Sequence, residues 1–139
     1  RDTGVDSNQT DDDTFKSMLL DQIKDNNIML VIDLHGANIT RDFDVELGNL
    51  NNLSSDFSTL KELIEAFNEN GVLNVKVNEP FKGGFVTRKV YFETDCEIIQ
   101  IEINTRYRTI LEFKNIKMVC DSLISFINQY KNIMEGSRW

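Results

Sequence analysis

This 139-residue sequence predicts an α/β layered domain with a largely parallel sheet. Two observations carry that expectation. Strand-like apolar runs alternate with stretches whose apolar residues recur at spacings of three and four, the order of helices packed on a sheet. One run, IMLVIDL at 28–34, is apolar nearly throughout, as in a strand covered on both faces. A hydrophobic content of 40% beside 27% charged residues fits a folded globular chain rather than a disordered one.

In chain order, RDTGVDSNQTDDD is polar, aspartate-rich and without period, so residues 1–13 read as a loop or arm, flexible through residue 11. A helix follows over about 12–26, with Phe15, Met18, Leu19 and Ile23 on one stripe and Asn26 and Asn27 closing it. After the 28–34 strand, a second helix over about 56–70 aligns Leu60, Leu63, Ile64 and Phe67. Asp56 or Ser58 suits its start, and Gly71 its left-handed end. VLNVKVN at 72–78 reads as a strand, and EPFKGGFVTRK as a loop holding the one proline and a Gly-Gly pair. EIIQIEIN at 97–104 alternates Ile99, Ile101 and Ile103 against Gln100, Glu102 and Asn104, a strand pattern. The last helix, about 115–135, carries Ile116, Val119, Cys120, Leu123, Ile127 and Tyr130 on its apolar face. Short strands are expected around 44–48 and 88–93. With no internal repeat or linker, residues 1–139 read as one domain. Its small sheet, and Arg1 in place of a methionine, lead to the expectation of an incomplete domain, the C-terminal portion of a longer one.

A formal net charge of -8 argues against a general nucleic-acid binder, because that affinity rests on lysine and arginine neutralising phosphates. No apolar run approaches the roughly 20 residues of a membrane helix. Cys96 and Cys120 are too few and too isolated for a disulfide framework or a zinc ribbon. Cys120, on the apolar helix face, is expected as a buried thiol, and the setting as cytoplasmic.

Four features invite a chemical reading. His35, the one histidine, ends a strand just before Gly36, and in open α/β sheets ligands bind at the carboxyl ends of strands. Asp33 points to the same side and would orient the imidazole. A histidine that merely caps the strand by a hydrogen bond accounts for the pattern equally well. Glu102, in the middle of an isoleucine-rich strand, would serve as a general base in a cleft, while a solvated strand face is the simpler account of Gln100, Glu102 and Asn104 together. Arg41, Arg88, Arg106 and Arg108 each follow strand or loop segments that open on one rim. They suit a substrate bearing carboxylates, or else are scattered surface residues. KGGFVTR offers glycine backbone for an anion, but it lacks the nucleotide-loop patterns, and a plain tight turn explains it better.

Taken together, VIDLHGA at 31–37, Arg41 with Asp44 and Gly48, EPFKGGFVTRK and IIQIEINTRYR resemble the central and C-terminal part of N-formylglutamate amidohydrolases, over about residues 12–130. That family is related to succinylglutamate desuccinylases, aspartoacylases and zinc carboxypeptidases. The resemblance implies a three-layer αβα sandwich with a mostly parallel or mixed sheet and one zinc. It implies His35 as a metal ligand and Glu102 as the catalytic acid/base. Arg41, Arg88, Gly83, Gly84 and Asn104 become the expected substrate contacts, and a small carboxylate-bearing N-acylated amino acid the expected substrate. A catalytic zinc takes three protein ligands and an open position. Residues 1–34 contain no histidine, so two expected ligands are missing from this chain. The alternative is a non-catalytic domain of this fold that binds a small anion or a protein partner.

Overall fold

The computed structural model describes residues 8–10 and 13–136, so most of the expected arm lies outside the described residues. The elements are α1 (Thr14–Asp25), β1 (Leu30–Ala37), β2 (Val45–Gly48), α2 (Phe57–Glu69), β3 (Val75–Val77), α3 (Phe85–Glu93), β4 (Glu97–Asn104) and α4 (Phe113–Gly136). Two 3-10 turns, Thr105–Tyr107 and Ile110–Glu112, join β4 to α4. Local chemistry sets several of these boundaries. The Asp13 carboxylate accepts from the Lys16 backbone N–H at 2.8 Å, which satisfies an orphan donor at the start of α1. Asn27, at φ +53°, turns the chain out of that helix. Gly71 does the same after α2 at φ +91°.

The sheet runs β1-β4-β2-β3. β1 pairs parallel with β4 and β2 parallel with β3, while β2 runs antiparallel to β4. The sheet is therefore mixed. Alternation along the strands gives its two faces different partners. Ile99, Ile101 and Ile103 of β4, with Val45 and Leu47 of β2, pack on Leu60, Leu63 and Phe67 of α2 and on Val119 and Phe126 of α4. Each large side chain fully buried there contributes about 1.5–3 kcal/mol. The opposite face is apolar only near the strand starts, where Val31 and Ile98 meet Ile23 of α1 and Val86 and Val90 of α3. Helices thus cover both sides of the sheet, an αβα sandwich. Toward the carboxyl ends of β1 and β4 the second face becomes Asp33, His35, Gln100, Glu102 and Asn104.

Three local expectations fail for identifiable reasons. The short strand expected at 88–93 is the body of α3. Phe92 and Val90 imitate strand alternation, but Phe92 is exposed, and the buried pair Val86 and Val90 stands at helical spacing. Cys120 is exposed because the buried side of α4 is centred on Val119, Ser122 and Phe126. β1 is only half-buried because it is the outer strand of the sheet. Among the described residues no helix is long and apolar enough to cross a membrane.

Ile101 sits on the central strand with no exposed surface, whereas Ile124 on α4 is mostly exposed. Ile101→Ala is expected to lower unfolding stability by about 2–5 kcal/mol, and Ile124→Ala by no more than about 0.5 kcal/mol. Urea denaturation of the two variants measures the difference.

Candidate active site

Strand register draws the ionisable groups into a row. In the β1–β4 pairing His35 lies beside Glu102, and in the β4–β2 pairing Glu46 lies on the other side of Glu102. Two register positions back, on the same face, Asp33 lies beside Gln100. His35 Nε2 is 2.8 Å from Asp33 Oδ2. A carboxylate only accepts, so Nε2 carries the hydrogen and the tautomer of the neutral ring is set. The Asn8 amide nitrogen, 3.4 Å from the same Nε2, is then a packing contact, because a nitrogen that donates to Asp33 does not also accept.

Glu102 is half-buried, and Gln100 Nε2 donates to its Oε1 at 3.2 Å. Burial pushes its carboxyl above the ordinary glutamate value. His35 pulls it down, Asp33 pushes it up, and Arg41 and Arg108 pull it down. Glu46 is completely buried. Both of its oxygens accept from the Phe81 backbone N–H at 3.0 Å. Burial raises this carboxyl too, against the pull of the Phe81 and Glu79 N–H groups, and Glu102 raises it further.

The Gly-Gly loop is laid directly on this row. A Cβ on Gly48 would stand 2.7 Å from the carbonyl carbon of Lys82, so only glycine lets the loop approach β2. The Lys82 carbonyl then accepts from Leu50 N–H at 2.8 Å. Gly84 N–H donates to Gln100 Oε1 at 3.0 Å, which ties the loop to the side chain that also holds Glu102. A Cβ on Gly84 would overlap the Asn8 side chain. α3 begins immediately afterwards, so the positive end of its dipole lies at the cleft wall. His35, Gln100, Glu102, Phe81, Lys82, Gly83, Gly84 and Arg88 line a cleft of about 520 Å³ with Asn8 at its side.

The structure brings His35, Glu102, Gly83, Gly84 and Arg88 together at this cleft. The Arg88 guanidinium lies 4.7 Å above the Phe85 ring, and that of Arg41 lies 4.8 Å above Phe81, a lining residue. Asn104 is buried below: its amide donates to the Arg41 and Phe43 carbonyls at 3.2 and 3.1 Å, so it holds the loop that carries Arg41. Arg106 pairs with Asp44 at 3.3 Å. Arg108 donates to the Ile103 and Ala37 carbonyls at 3.0 Å, packed where Gly36 has no side chain. These last two arginines fasten strand ends. Glu46, Gln100 and Asn8 are the site residues that sequence reasoning passed over.

The donors at the cleft do not make a zinc site by themselves. Among the described residues no group of three or more His, Cys, Asp or Glu side chains is placed to hold a metal ion. His35 is the one imidazole, and its Nε2 is committed to Asp33.

The family model of N-formylglutamate amidohydrolase matches residues 13–108. In a comparison of solved structures, N-formylglutamate amidohydrolase from Ralstonia eutropha JMP134 aligns with a TM-score of 0.62 at 14% sequence identity, a likeness of fold. The alignment covers 82% of this chain and 48% of that one, so this chain spans about half the length of that protein. No curated protein matches the sequence.

A carboxyl raised on folding is stabilising below its unfolded value and loses that contribution as pH rises through its folded value. For Glu46 the ordinary value is 4.5. The urea midpoint of Glu46→Gln, taken relative to the parent, is therefore expected to climb between pH 4.5 and neutrality. A relative midpoint that stays constant over that range contradicts the burial cost assigned to this carboxylate.

Proposed function

Since the chain belongs to the N-formylglutamate amidohydrolase family, we propose that it serves the hydrolysis of an N-acylated acidic amino acid such as N-formylglutamate. The observation that carries this reading is the place of Glu102. Its raised carboxyl lies between His35 and Glu46 on the floor of a cleft rimmed by Lys82 and Arg88. That is where an acyl amide would lie with its carboxylates on cationic side chains.

The chemistry then follows from the residues. Arg88 grips a substrate carboxylate by paired hydrogen bonds, Arg41 offers a second guanidinium nearby, and the Gly83 backbone, beside the Gly84 N–H that Gln100 already holds, lies at the positive end of α3. Glu102 takes a proton from water as the water oxygen bonds to the acyl carbon. It returns the proton to the amide nitrogen as the C–N bond breaks, which releases the acyl acid and the free amino acid. A raised carboxyl suits this double duty because it gives up its proton closer to neutrality. Gln100 and Asp33 act through others: Gln100 orients Glu102, and Asp33 orients His35. No step is assigned to zinc, whose ligand set the described residues do not complete. That shortfall favours a second reading, a domain of this fold that binds the same anion without cleaving it.

Release of the acyl acid from N-formylglutamate, N-acetylglutamate and N-succinylglutamate, by the protein as its gene encodes it, separates the two. Hydrolysis is expected, and Glu102→Gln is expected to lower kcat by about 10²–10⁴-fold. Arg88→Ala should act mainly on KM. The acidic limb of kcat/KM should lie above pH 4.5, since Glu102 accepts a proton only when ionised. Binding without turnover would support the second reading, and an unchanged kcat in Glu102→Gln would remove Glu102 from the mechanism.

A further inference from the structure

α3 holds a threonine that its packing alone does not explain. Thr87 is completely buried in the first turn of the helix. Among the described residues its Oγ1 is the one buried side-chain polar atom without a hydrogen-bond partner. A buried hydroxyl left unbonded is destabilising, whereas a valine of the same shape has nothing to satisfy. Valine is what α3 uses at its other two buried positions, Val86 and Val90.

The place of this hydroxyl names its partner. A threonine or serine hydroxyl on a helix commonly donates to the backbone carbonyl four residues earlier. Thr94 does so to Val90 at 2.8 Å, and Ser122 to Met118 at 2.6 Å. For Thr87 that carbonyl belongs to Gly83, and the side chain already lies against this residue: a Cβ on Gly83 would stand 3.0 Å from Oγ1. The Gly83 carbonyl accepts instead from Nη1 of Arg88 at 3.4 Å, a long bond. Two donors on adjacent residues thus converge on one carbonyl, and the one that holds it does so loosely. Gly83, at φ +130° and without a Cβ, leaves room for its carbonyl to shift toward Thr87.

Both Gly83 and Arg88 line the cleft. A carboxylate is a stronger acceptor for a guanidinium than a neutral carbonyl is. A substrate carboxylate therefore draws Arg88 away from Gly83, and the bond lost there is replaced only if another donor stands ready.

We propose that Thr87 is a positioning residue of the cleft, whose hydroxyl takes over the Gly83 carbonyl when Arg88 turns to a substrate carboxylate. The proposal rests on the role given to Arg88 in the proposed function. Binding then satisfies a hydroxyl that the free protein leaves unbonded, so Thr87 favours the bound arrangement of the loop over the free one. A ligand without a carboxylate for Arg88 gains nothing from it.

Thr87→Val and Thr87→Ser, in the protein as its gene encodes it, test this with stability and binding read separately. The binding probe is L-glutamate, the amino-acid product of the proposed reaction. Without ligand, Thr87→Val is expected to melt at or above the Tm of the parent, since valine keeps the shape and removes an unbonded hydroxyl. Its Kd for L-glutamate is expected to rise about tenfold. Its KM for N-formylglutamate should rise likewise, with kcat within about threefold of the parent. Thr87→Ser should return Kd to within about threefold of the parent. A lower Tm in Thr87→Val, or failure of that variant to fold, would show the hydroxyl already bonded in the free protein, as by a buried water, and would overturn the proposal. So would an unchanged Kd, a Kd that serine does not restore, or a parent that does not bind L-glutamate. A parent that binds L-glutamate without hydrolysing N-formylglutamate would strike the proposed reaction and leave this role of Thr87 standing.

Discussion

Two glutamates that the sheet register holds on neighbouring strands are the constraint around which the cleft is built. Glu46 and Glu102 face each other across the β2–β4 pair, with His35 on the far side of Glu102. Like charges directly opposite on paired strands destabilise a sheet, and the surroundings answer that cost group by group. Phe81 N–H binds Glu46, Gln100 binds Glu102, and Arg41 supplies positive charge nearby. Burial still leaves both carboxyls raised. Such a row is an expensive arrangement for a structural core, and raised carboxyls of this kind mark candidate functional sites.

The Gly-Gly loop exists in its position because of this row. Gly48 clears the space for Lys82, Glu46 captures Phe81, and Gln100 captures Gly84, so one loop is fastened at three points to β2 and β4. The loop in turn sets where α3 begins and where Arg88 stands. A substitution at Gln100 would therefore disturb the glycine backbone and Glu102 together. The same side chain serves both, which couples the position of the glycine loop to that of the Glu102 carboxyl.

Much of this was legible in the sequence. Strand alternation placed Gln100, Glu102 and Asn104 on one face, and the strand end marked His35 with Asp33 as its partner. Glu46 was not legible, because VELG is four residues long and alternation says nothing about which strand lies alongside. Only the antiparallel register of β2 with β4 brings Glu46 to Glu102. Gln100 and Asn104 look alike in the pattern, yet one serves the cleft and the other an underlying loop. Their roles depend on what packs above each position, which lies far away in sequence. The edge position of β1 was hidden for a related reason: LVIDL reads as a strand buried on both faces, and its half-exposure follows from strand order alone.

Register and burial hold both carboxyls of the row above the ordinary glutamate value. Carbon-13 NMR titration of the Glu46 and Glu102 side-chain carboxyls in the folded protein tests it most directly. Both midpoints are expected above 4.5. Midpoints at or below that value for both residues would contradict it, and would make the row a set of ordinary, solvated carboxylates.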